Sequence, residues 1–104
     1  MPVEQIQGNT ITIKKRDVFG LVFRRQGLQV KGENPIDSLN VNITLEGVAN
    51  EPASGSCTNC KKLNVMGSAS FGFAPPQTFQ AVSYDVKGSD GGQSFEFTGR
   101  ELFS

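Results

Sequence analysis

Cys57 and Cys60 flank Thr58-Asn59, and no other pair of side chains in this 104-residue chain is better spaced for shared chemistry. A Cys-X-X-Cys motif can exchange thiols, supply half of a zinc site or close a small crosslink. Redox exchange needs a thiolate stabilised by a helix N-terminus or by nearby cations. Lys61 and Lys62 supply cations, but Leu63-Asn64-Val65 has the alternation of a strand, so the helix is missing. A structural zinc takes four ligands, whereas the chain has two cysteines and no histidine. Such a site needs a second subunit or carboxylates. The expected state is therefore two solvent-facing thiols in a loop, with a local disulfide as the alternative in an oxidising compartment. Cys57 and Cys60 stay as weak metal candidates, and no cofactor is expected.

The second constellation is cationic. Lys14, Lys15, Arg16, Arg24, Arg25 and Lys31 interleave with Phe19 and Phe23 near the N-terminus. Up to Lys31 these six bases face only Glu4 and Asp17, a net charge of +4. From Gly32 onward four bases face eight acids, a net charge of −4. Such a split fits an anion-binding face or complementary patches that meet in an oligomer. Sheets that bind single-stranded nucleic acid also combine a cationic track with aromatic platforms. Against that partner stands the near-neutral isoelectric point of about 6.2, well short of the usual basic footprint.

The chain has no histidine, which removes the commonest general acid or base and the commonest metal ligand. No nucleophile stands beside a base, and the carboxylates are scattered. Asp85 and Asp90 flank a turn, but calcium takes six to eight oxygens. The sequence therefore points away from an enzyme.

These residues must be carried by strands. Leu39-Asn40-Val41-Asn42-Ile43-Thr44-Leu45 alternates apolar and polar without a break, the mark of a strand with one dry and one wet face. The same rhythm recurs from Gln5 to Ile13, from Val18 to Arg25, from Leu28 to Val30, and over 63–65, 68–73, 77–87 and 93–98. Gln26-Gly27 reads as a hairpin turn between two of these strands, because glycine admits positive φ. Gly88-Ser89-Asp90-Gly91-Gly92 reads as a second hairpin loop. Residues 49–62 are rich in Ser, Gly, Pro and Asn and read as a long irregular loop. Phe19, Leu21, Phe23, Val41, Ile43, Phe71, Phe73, Phe95 and Phe97 are the expected core.

The expectation is a single all-β domain over residues 1–104, a small β-sandwich or β-barrel-like fold of about seven short antiparallel strands. Met-Pro-Val-Glu-Gln lacks the cationic start and apolar run of a signal peptide, and no apolar run approaches a bilayer span. These features lead to the expectation of a soluble cytoplasmic protein with no membrane partner. The expected function is non-enzymatic: a binding or structural subunit that associates with a protein partner or with itself as a homo-oligomer. Single-strand nucleic-acid binding through the basic hairpin 14–31 is the first alternative. Thiol redox or an intersubunit metal site at Cys57 and Cys60 is the second.

Overall fold

A computed structural model describes residues 3–6, 8–72 and 79–103. They form seven antiparallel strands: β1 (Val3–Ile6), β2 (Asn9–Phe19), β3 (Phe23–Glu46), β4 (Glu51–Met66), β5 (Ser70–Phe71), β6 (Ala81–Asp90) and β7 (Gln93–Leu102). The chain is all-β. Among the described residues no helix is long and apolar enough to cross a membrane.

The organising element is β3, which is 24 residues long and bent. Its N-terminal half pairs with β2, from Phe19↔Arg24 to Ile11↔Gly32. Its C-terminal half pairs with β6, from Ser38↔Ser89 to Glu46↔Ala81. Because β4 runs along the other edge of β3 through both halves, β2 and β6 occupy successive stretches of one edge. They part at the irregular segment between Lys31 and Ile36. Asn9 holds that segment: its Oδ1 accepts from Asn34 N at 2.9 Å, and its Nδ2 donates to Asn34 O at 2.9 Å. The same Nδ2 donates to Asp90 Oδ2 at 2.9 Å, joining the start of β2 to the end of β6.

The bend lets the sheet curl around one core. Ile11, Ile13, Leu28 and Val30 line it from the first half, and Leu39, Val41, Ile43, Leu45, Val82 and Val86 from the second. Each such side chain contributes roughly 1.5–3 kcal/mol when fully buried. Lys15 Nζ donates to the Leu102 carbonyl, so the curl brings β2 across to the end of β7. Near the far end of β3 the Glu46 carboxylate accepts from the Ser83 hydroxyl and from Arg100. Those two interactions, the hydroxyl first, hold its pKa below the usual carboxylate range.

Several expectations change. The first hairpin turns at Gly20-Leu21-Val22, closed by Gly20 N donating to Phe23 O at 2.8 Å, and not at Gln26-Gly27. Phe19 and Leu21 therefore sit at a tip and are exposed (67% and 94%) instead of lining the core, and Phe71 is 72% exposed. Phe23 is half-buried. Val41, Ile43 and Phe95 are buried as expected, and Phe97 packs against the core. Phe73 lies outside the described residues. The segments 28–30 and 39–45 belong to one continuous strand, so β3 is not short. Residues 49–62 are not a long loop: from Glu51 onward they form β4. Its small residues still alternate, with Ala53, Gly55 and Cys57 opposite the buried Ile43, Val41 and Leu39. The edge of β3 overrides the weak strand propensity of Ser, Gly and Pro there. The second hairpin shortens to the two residues Gly91-Gly92, both at positive φ (60° and 80°), the arrangement favoured between twisted strands.

Tyr84, the only tyrosine, is buried. Burial, followed by the charges of Glu101 and Glu4, raises its pKa above the usual phenol value. The unfolded phenol ionises first, at about pH 10. This term is therefore fully present below pH ~10 and lost as pH rises through the folded value. With no tryptophan in the chain, an absorbance titration of folded protein reads this phenol cleanly. Its midpoint should lie above 10; a midpoint at or below 10 contradicts the burial.

Candidate binding surface

Residues directly opposite each other in an antiparallel pair share a face, and the face alternates along each strand. The register therefore sorts the cations. Thr12, Lys31 and Lys62 form one row across β2, β3 and β4; Lys14, Gln29 and Asn64 form the next; Arg16, Gly27 and Met66 follow; Val18 and Arg25 come last. All of these lie on the face turned away from the core. Lys14, Arg16, Arg25, Lys31 and Lys62 thus stand on one outer face.

Two of the six cations singled out in the sequence lie on the other side. Lys15 tethers Leu102. Arg24 grips Asp17 with two hydrogen bonds, Nε to Oδ1 at 3.0 Å and Nη2 to Oδ2 at 2.7 Å, and lies 4.4 Å from the centre of the Phe19 ring. The hydrogen bond to Asp17 raises the Arg24 pKa further, against a smaller opposing effect of desolvation. Lys62 replaces them, and reading its surroundings as a loop had concealed it. Strand parity around Leu63-Asn64-Val65, extended backward one residue, is the signal that places it.

Among the described residues, none of the five outer-face cations takes part in a salt bridge. Arg25 Nε donates to the Gly67 carbonyl at 2.7 Å. Gln29 Nε2 donates to Asn64 Oδ1 at 3.1 Å, leaving amide groups open in the middle of the face. Two shallow grooves cross it. One is lined by Thr10, Thr12, Lys14, Gln29, Lys31 and Glu33. The other runs along Arg16, Val18, Phe23, Arg25, Asn64 and Met66. Beyond the second lies the apolar tip: Phe19, Leu21 and Phe71, with Val22 43% exposed. Phe23 and Phe71 are cross-strand partners with ring centroids 6.4 Å apart.

The outer face of the other half differs. Asn40 and Asn42 are exposed and Thr44 half-buried, flanked by Ser54 and Ser56 on β4. Its acids have close cationic neighbours: Lys87 lies 3.6 Å from Asp85 and 3.7 Å from Glu96, and Arg100 holds Glu46. Among the described residues the charge split of the sequence therefore yields a cationic face without a matching acidic one.

Cys57 and Cys60 are joined in a disulfide, so the expectation of two free, solvent-facing thiols is corrected. In a straight strand, residues three apart lie about 10 Å from each other on opposite faces. Here Asn59 adopts φ of 48°, and the two Cα atoms come within 6.1 Å. Cys57 lies opposite Leu39 and Cys60 opposite Ile36, and both are half-buried against the core. Among the described residues no group of three or more His, Cys, Asp or Glu side chains is placed to hold a metal ion. A crosslink this short restrains the unfolded chain little, by about 2 kcal/mol on the loop-entropy model. Cys57→Ser/Cys60→Ser should therefore stay folded and lose at most about that much, as read by urea denaturation. A variant that fails to fold would contradict this.

No family model matches this sequence, and neither does any curated protein or solved structure.

Proposed function

We propose that this chain is a non-enzymatic binding module that works by protein–protein association, with a second copy of itself as the first partner to test. The observation that supports the reading is the tip of the β2–β3 hairpin, where Leu21, Val22 and Phe71 are exposed on adjoining segments and Phe19 is exposed on the opposite face. Arg16, Arg25 and Met66 border it along the adjoining groove. An apolar centre rich in aromatics, with methionine and arginine around it, is the composition that marks interface cores.

Leu21→Glu/Val22→Ser tests the reading without touching the core, since both side chains project from the turn. The backbone bond from Gly72 N to Val22 O does not depend on the side chain. Sedimentation equilibrium should show self-association of the unaltered protein, weakened at least about tenfold in the variant, the scale of a hot-spot loss. A monomer at every concentration, or association unchanged by the substitutions, removes the reading.

A further inference from the structure

The cationic outer face adjoins the apolar tip and shares Phe71 with it, but its chemistry is different. Lys31 and Lys62 are direct cross-strand partners. Like charges placed so are destabilising, and no acid among the described residues bridges either one. From Lys31 to Arg25 the face runs six residues along β3, about 20 Å of strand. Lys14 and Arg16 keep step on β2. At one end stands Phe71, 72% exposed and beside Phe23. The middle row offers the amides of Gln29 and Asn64, which can both donate and accept.

We propose that this face is a binding track for single-stranded nucleic acid, with phosphates along Lys62, Lys31, Lys14, Arg16 and Arg25 and a base stacked on Phe71. The five cations ask for a linear anion, and among the described residues Glu33 is the one acid that lines the two grooves. An acidic polypeptide would satisfy the charges but would leave the aromatic end unused. A duplex hides the faces of its bases, whereas a single strand presents them to a ring. The inference does not rest on self-association: its cations lie on the sheet face and not on the hairpin turn.

The test is fluorescence anisotropy with a labelled oligothymidylate of about a dozen nucleotides, beside labelled polyglutamate. Five phosphate contacts to a single strand give a log–log salt slope near −3.5, so affinity should fall about 100-fold between 50 and 200 mM salt. Lys31→Glu/Lys62→Glu should weaken oligonucleotide binding at least about tenfold, because both side chains are exposed and the change reverses two charges. Phe71→Ala should weaken it about fivefold or more without altering the salt slope. Leu21→Glu/Val22→Ser alters neither the five cations nor Phe71, so its oligonucleotide binding should keep the salt slope of the unaltered protein even where its self-association is lost. Failure to bind the oligonucleotide at 50 mM salt overturns the proposal. So does polyglutamate binding of equal strength with no effect of Phe71→Ala, a result that would assign the face to an acidic protein.

Discussion

Gln26→Ala should lower the stability of this protein by about 3 kcal/mol, although the residue touches neither grooves nor tip. Gln26 is buried at 2% exposure. Its Oε1 accepts from Phe79 N at 2.8 Å and its Nε2 donates to Phe79 O at 3.0 Å. One side chain thereby satisfies both backbone groups of a buried residue two positions before β6. Truncation leaves that N–H and C=O without partners, at roughly 1–3 kcal/mol for each buried group. For a domain of about 100 residues the melting temperature should fall by more than about 10 °C. Gln26→Glu does not rescue it: the carboxylate keeps the acceptor, loses the donor to Phe79 O and places charge 3.5 Å or so from Asp17. Urea denaturation measures both variants. A loss below about 1 kcal/mol for Gln26→Ala would mean that water reaches the Phe79 backbone.

Gly27→Val should be comparably damaging, for a steric reason. A Cβ at Gly27 would lie 2.2 Å from the Val65 carbonyl oxygen and 2.7 Å from Met66 Cα. Both atoms belong to the backbone of β4, so no rotamer change can make room. The strands must separate where Gly27 pairs with Met66 and Leu28 with Val65. The expected loss is about 3 kcal/mol, at or above the upper end for overpacking, because backbone must move. Amide exchange locates it: residues 63–66 should lose protection while 53–57 keep theirs. Uniform protection equal to that of the unaltered protein would show that the approach of β4 to Gly27 is looser than these distances.

The two residues behind those predictions also show where the sequence misleads. Gln-Gly before an alternating segment has the composition of a tight turn, and nothing local reveals that both residues are needed inside a strand. Gln26 is there for the backbone of Phe79, and Gly27 for that of Val65; both partners are distant in sequence. Moving the turn to Gly20-Leu21-Val22 then carries Phe19 and Leu21 out of the core. The alternation of Leu39 to Leu45 was legible because burial on one face enforces it, and the buried Leu39, Val41, Ile43 and Leu45 bear that out. Of the cationic site, Lys14, Arg16, Arg25 and Lys31 were legible as charges and share a face by strand parity. The same parity sends Lys15 and Arg24 to the opposite face, where they meet Leu102 and Asp17. Lys62 was hidden because β4 is a strand by virtue of its neighbour more than its own residues.

That borrowed character leaves β4 with an open edge. Among the described residues β4 pairs only with β3, so its other edge offers backbone donors and acceptors to any extended chain, the usual starting point for aggregation. Pro52 lacks a donor at one end of the run. Near the other end the backbone leaves the extended conformation at Asn59, held by the Cys57–Cys60 crosslink, and Lys61 and Lys62 follow with like charge. Between these interruptions the regular, uncharged edge is confined to residues 53–58, about 20 Å of strand. A small crosslink that adds little to folding stability thus helps keep one sheet from templating the next.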